Sequence, residues 1–149
     1  EFAGFQVSKS FPQASKFAQT KRYKTLLERF LNDLSKGKVD NIVDILVNSL
    51  QGFETLSKVA DQINEVIHDP ERAKLIARTE VIRLANEGNL ERMSEKGQKL
   101  VKYISANEDG RLCRDCAKKD NRIYTLENSR GVIPSHPRCR CTWTEYEEP

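Results

Sequence analysis

Four cysteines and one of the two histidines fall within one short stretch near the C-terminal end of the chain. Cys113 and Cys116 are separated by two residues, His136 and Cys139 repeat that gap, and Cys141 follows one residue further on. A two-residue gap lets a tight turn aim both side chains at one point, as a tetrahedral zinc ion requires. Two such pairs across a spacer predict a structural Zn2+ knuckle with Cys113, Cys116, His136, Cys139 and Cys141 as candidate ligands. Five candidates compete for four positions. Cys113, Cys116 and Cys139 enter almost any solution. The fourth ligand is His136, which completes the second pair, or Cys141, which shares a strand face with Cys139 because side chains alternate along a strand. Disulfides are the competing use of the cysteines, but they do not account for the matched gaps.

Catalytic patterns are missing from the rest of the sequence. There is no H-E-x-x-H, no G-x-x-x-x-G-K-[ST], and no H-x-E ahead of P-C-x-x-C. His68 is the only histidine outside the knuckle, and it reads as a loop residue. A zinc closed by four soft ligands has no open position for a substrate, so the site reads as structural and the chain as a non-enzyme with no small-molecule substrate.

The elements that must position this knuckle are mostly helices. Residues 21–35, 39–50 and 55–67 carry apolar side chains at spacings of three and four. The segment 39–50 has a wide apolar face and is expected to be the most buried helix. Asp69 as N-cap and Pro70 at the first helical position open a longer helix, which runs to about 95 before Gly97. Within it Arg78 lies on the stripe of Ala77, Val81 and Ala85. Arg78 and Glu80 are expected to dock the knuckle, with Arg78 the more buried and reaching the loop 134–139. Arg83 is expected in an exposed pair. After Gly97 the period changes to alternation over 100–105, 122–126 and 139–146, with Trp143 as a lid on the metal site. The fold class expected is α+β, a mainly helical domain with a small antiparallel β-element carrying a C-terminal zinc knuckle. Residues 1–20 show no sustained period and read as an irregular N-terminal arm. Residues 21–149 read as a single domain, helical over 21–96 and β over 99–146. The chain starts at Glu1 without methionine, its only methionine being Met93, and reads as a piece of a longer protein, with Glu1-Phe2 set aside as a cloning remnant.

The sequence also resembles a known family. Ile76-Ala77-Arg78-Thr79-Glu80-Val81, then Asp109-Gly110-Arg111-Leu112-Cys113-Arg114-Asp115-Cys116, then Pro134-Ser135-His136-Pro137-Arg138-Cys139-Arg140-Cys141 is similar to the pattern of the phage Mu F-like head morphogenesis family. Its members are minor capsid proteins of tailed phages and prophages. The resemblance covers about 39–143 and implies a structural minor head protein that binds the portal protein or other capsid proteins. It further implies a location in the virion, in the capsid interior or at the portal vertex, after assembly in the host cytoplasm. An influence on DNA packaging or ejection, and so DNA as a partner, comes with it.

Composition alone points to none of this. The 149 residues carry 25 Lys+Arg against 22 Asp+Glu, a net +3 too mild to argue for nucleic acid. No apolar run approaches the roughly 20 residues of a membrane span, so no membrane partner is expected. Two readings from other classes compete. A zinc-dependent nucleic-acid enzyme of the HNH type needs a catalytic histidine, and only His68 is spare. A DNA-binding zinc module would use Arg114, Lys118, Lys119, Arg122, Arg138 and Arg140, which are interleaved with Asp115, Asp120 and Glu127.

Overall fold

The computed structural model describes residues 7–52, 54–105, 114–135 and 139–149, with side chains from residue 12 onward. Five helices come first: α1 (Val7–Ala18), α2 (Lys21–Phe30), α3 (Lys36–Gly52), α4 (Leu56–Ile67) and α5 (Pro70–Glu95). The C-terminal part follows as β1 (Leu100–Ile104), α6 (Arg114–Lys119), β2 (Ile123–Thr125), α7 (Leu126–Ser129) and β3 (Thr142–Tyr146). The strands form one antiparallel sheet in the order β2-β1-β3, with Tyr103 opposite Trp143. This is the mainly helical α+β class expected, with a small antiparallel sheet at its end.

Local signals set the helix ends. Thr20, Thr55 and Asp69 each accept a hydrogen bond from the backbone N–H three residues on, at 3.2 Å, which satisfies a donor the helix leaves unpaired. His68 closes α4 in the left-handed conformation, φ 55°, with its N–H donated to Asn64 O at 2.7 Å. Gly97, φ 82°, makes the turn out of α5 at no steric cost. α2 stops at Phe30 rather than 35, and α3 starts at Lys36, where Ser35 Oγ accepts from the Lys38 N–H. Gly37 thus lies inside the first turn of α3 instead of ending α2.

Two expectations are corrected. The stretch read as an irregular arm contains α1, which packs along α5. Its buried positions are Ala14, Ser15 and Ala18. Small side chains at helical spacing let two backbones approach closely, but they leave no period of large apolar residues to read. The most enclosed helix is α5 and not α3: every residue from Glu80 through Leu90 is buried. α1, α4, α3 and β3 all pack on it. The helical core gathers Tyr23, Leu27, Ile42, Leu46, Ile63 and Leu84 among others. A second core joins Ile82, Leu90 and Met93 of α5 to Val101, Tyr103, Ile133, Trp143 and the cysteines. α5 therefore contributes to both.

Candidate metal centre

Cys116 enters the site from α6, and Cys139 and Cys141 from the approach to β3. The α6 segment is hung on β1. Asn121 N–H donates to Tyr103 O at 2.8 Å, and Tyr103 N–H donates to Arg122 O at 2.9 Å. Asp120 Oδ1 accepts from the Ser105 N–H at 3.0 Å. Asn121 makes the reversal at φ 65°, a left-handed conformation that asparagine tolerates better than most residues. On the other side, register with β1 fixes β3, and Gln98 pins the end of the sheet by donating to Leu100 O and Tyr146 O at 2.8 and 2.7 Å.

This scaffold brings three sulfurs together. Cys116, Cys139 and Cys141 are 2%, 2% and 3% exposed. Their Sγ atoms lie within 4.8 Å of one another, and no disulfide joins any two of them. Tetrahedral zinc with Zn–S bonds of about 2.3 Å places its sulfurs roughly 3.8 Å apart, so a small inward adjustment would let the three share one ion. Buried soft donors with no carboxylate among them suit a thiolate-binding metal such as zinc. Cys139 and Cys141 reach the same point, as alternation along an extended segment predicts. Cys113 and His136 lie outside the described residues.

Aromatic rings pack in the same apolar cluster as the sulfurs. Trp143 packs edge-on against Tyr103, with centroids 5.4 Å apart, and against Tyr124 at 5.2 Å. Tyr103 and Trp143 belong to the apolar cluster that contains the cysteines, and Tyr124 packs against it. The Tyr103 hydroxyl sits at the sulfurs. Burial, and next its hydrogen bond to Cys141, push its pKa far above the usual tyrosine range. It also shares a hydrogen bond of 3.2 Å with Ser135 Oγ, which accepts from Lys119 Nζ at 3.0 Å.

Of the two side chains expected to dock this unit on α5, Glu80 does not, and the loop 134–139 that Arg78 is expected to reach lies partly outside the described residues; other α5 side chains make the described contacts. Asn86 Nδ2 donates to the carbonyl of Cys141 at 3.3 Å and to Ile82 O at 3.0 Å. Asn89 Nδ2 donates to Trp143 O at 3.3 Å. Glu87 Oε1 accepts from the Gly131 N–H at 3.1 Å, while Arg130 pairs with Glu87 at 3.6 Å and Glu91 at 2.8 Å. Burial raises the Glu87 pKa, and Arg130, the Gly131 N–H and Arg22 oppose that shift.

Glu80, 4% exposed, faces α2 instead of the knuckle. It accepts from the Tyr23 hydroxyl at 2.7 Å and from Arg83 Nε at 3.0 Å. Arg83 is itself only 8% exposed, and its guanidinium lies over the Phe30 ring, 4.8 Å from the centroid. The pair expected in solvent is thus a buried one. Arg78 is half-buried, less enclosed than Glu80, and lines a groove with Leu56, Ser57, Ala60 and Asp61 of α4. A separation of two residues does place Arg78 and Glu80 on different faces. The expectation that Arg78 is the more buried of the two does not hold, because α5 is covered on several sides and the Glu80 face is enclosed.

A signal for the docking residues was present in the sequence. Asn86, Gly88 and Asn89 are weak helix formers in the middle of a long helix, and such residues persist there when tertiary contacts hold them. No curated protein and no solved structure matches the chain. A family model described as phage Mu protein F-like matches residues 40–144, from within α3 into β3, and the chain belongs to that family.

Proposed function

We propose that this chain is a structural minor head protein domain of a tailed phage or prophage, stabilised by a zinc ion. The family suggests phage head morphogenesis, hence a virion component in contact with other capsid proteins. Our finer reading places it at the portal or on the inner capsid wall, with a role in head assembly and in packaging or ejection of DNA. Residues 21–149 form the family domain in this reading, and α1 packs on it.

The observation that carries the metal reading is the burial of three clustered sulfurs in one core with Trp143 and Tyr103. Cys116, Cys139 and Cys141 would hold the ion, and Cys113 or His136 would complete four ligands. Such an ion supplies cross-linking of α6 to the β3 approach, with no chemistry on a substrate. The non-enzymatic reading has the same support, since a buried centre offers a substrate no access. Two further observations weigh against an HNH enzyme. His68, the one described histidine, is an exposed helix cap at the end of α4, and no acidic group joins the described cluster.

The test is co-purification. Tagged protein is expected to carry about one zinc per chain by elemental analysis and to retain a portal protein of the same phage. Magnesium-dependent nuclease activity would overturn the structural reading in favour of the enzyme. Tight, salt-sensitive DNA binding without portal retention would instead favour the DNA-binding module.

A further inference from the structure

Beside the three sulfurs, three polar side chains form a continuous hydrogen-bonded line. Lys119 Nζ donates to Ser135 Oγ at 3.0 Å. Ser135 Oγ and the Tyr103 hydroxyl are 3.2 Å apart, and either can be the donor. Ser135 Oγ also lies 3.0 Å from Val132 O, to which it donates. The Tyr103 hydroxyl lies in the same buried cluster as Cys141 and Cys116, near enough for both thiols to raise its pKa.

Counting protons shows two ways to order this line. Each hydroxyl has one proton to give, whereas a lysine ammonium only donates. The Ser135 proton goes to Val132 O or to Tyr103. The Tyr103 proton goes to Ser135 or to a sulfur. An uncharged thiol is a weak acceptor, so without a metal Tyr103 donates to Ser135 and Ser135 donates to Val132 O. The line then points away from the cysteines. A metal-bound sulfur carries charge and accepts strongly. Turning the two hydroxyls about their C–O bonds gives Lys119 to Ser135, Ser135 to Tyr103, and Tyr103 to sulfur, with a cation at the far end.

We propose that Lys119, Ser135 and Tyr103 are a donor chain that stabilises the thiolate charge of the loaded centre. The inference rests on the metal reading above. Three thiolates on a divalent ion leave a net negative charge, and a fourth increases it. A buried charge of that kind needs donors and a counter-charge. Tyr103 is a positioning residue in this scheme and not a ligand. Lys119 is half-buried while Lys118, its neighbour on α6, is exposed, so Lys118 provides an internal control.

The experiment loads full-length protein with cobalt(II), records the thiolate-to-metal charge-transfer band, and measures affinity by competition with a chromophoric chelator. Tyr103→Phe keeps the ring packed on Trp143 and Tyr124 and removes only the hydroxyl. It is expected to weaken cobalt binding roughly 10–100-fold. It should also move the charge-transfer band to lower energy, because an unbonded sulfur lone pair is easier to ionise. Lys119→Met and Ser135→Ala should move both readouts the same way, by less, and Lys118→Met should move neither. Should Tyr103→Phe fold poorly, Lys119→Met and Ser135→Ala decide the matter. Wild-type protein that takes up no cobalt would remove the metal reading and this inference together. Cobalt-loaded variants with wild-type affinity and an unmoved band would overturn the donor chain alone.

Discussion

Glu80 offers the most direct energetic test of how the helical body is held. Tyr23→Phe removes one oxygen atom and keeps the ring, which packs tilted against Phe17 at 5.8 Å. Little cavity forms, so the loss isolates the hydrogen bond of 2.7 Å from the hydroxyl to Glu80 Oε1. A hydrogen bond to a charged group contributes about 1.5–3 kcal/mol. The upper half of that range is expected here, because Glu80 and Tyr23 are both buried and the carboxylate loses one of its two partners shown here. For a chain of this length the same change lowers the thermal midpoint by roughly 3–12 °C. Arg83→Met should cost more, about 3–5 kcal/mol, since it keeps the contact with Phe30 but leaves a buried carboxylate without its counter-charge. Lys24→Ala removes only the exposed pair with Asp40 and should leave the midpoint unmoved. Urea titration of metal-loaded protein followed by far-UV dichroism supplies the numbers. A double-mutant cycle with Glu80→Gln tests whether the tyrosine effect runs through that carboxylate. A Tyr23→Phe loss below about 0.5 kcal/mol, or an additive cycle, would refute the role given to the Tyr23–Glu80 bond.

Three further outcomes are expected. Chelation should abolish the near-UV signal of Trp143 while most far-UV helix persists, because the knuckle has little core of its own and structural zinc contributes on the order of 10 kcal/mol to such units; an unchanged Trp143 signal in verified metal-free protein would remove the metal from the fold. Asn86→Ala and Asn89→Ala should each lower stability by about 0.5–1.5 kcal/mol and speed metal loss to a chelator, since each leaves a buried carbonyl of the β3 segment short of a donor; equal stability with unchanged metal release would show that the docking bonds are idle. Glu87 has a raised pKa in the folded chain, so the folded state holds its proton to higher pH than the unfolded state does, and its contribution to stability falls as pH rises from the ordinary glutamate range through the folded value. The difference in unfolding free energy between wild type and Glu87→Gln, measured across that window, should show this loss in the wild type only; parallel profiles would contradict it.

The helices α4 and α5 were legible because their signals are local. Thr55, Asp69 and Pro70 mark starts, Gly97 marks an end, and large apolar side chains keep a helical period between them. The strands and the placement of Cys139 with Cys141 were legible through alternation. α1 escaped because its contact with α5 uses alanine and serine, whose burial leaves no hydrophobic period. α6 and α7 are too short, at six and four residues, to show a period at all. The fate of Arg78, Glu80 and Arg83 depended on which elements surround α5, and that is a tertiary fact. Spacing along a helix gives the angle between two side chains, but not what lies at each angle.

The polar content of α5 follows from its position between two cores. A helix enclosed on all sides is ordinarily apolar all round, yet buried Glu80, Arg83, Asn86, Glu87 and Asn89 occupy this one. Each described bond places these side chains with a definite partner. Glu80 selects Tyr23 of α2, Asn86 and Asn89 select carbonyls of the β3 segment, and Glu87 selects the turn at Gly131. Apolar contacts would tolerate a small slide of the knuckle along α5, because they are not directional. Hydrogen bonds to two carbonyls two residues apart, one just before β3 and one in it, fix the register, since a one-residue slip would leave buried acceptors unpaired. The carbonyl that Asn86 holds belongs to Cys141, whose sulfur is in the cluster. Fixing that register therefore also fixes where one sulfur of the candidate metal centre stands relative to the helical body.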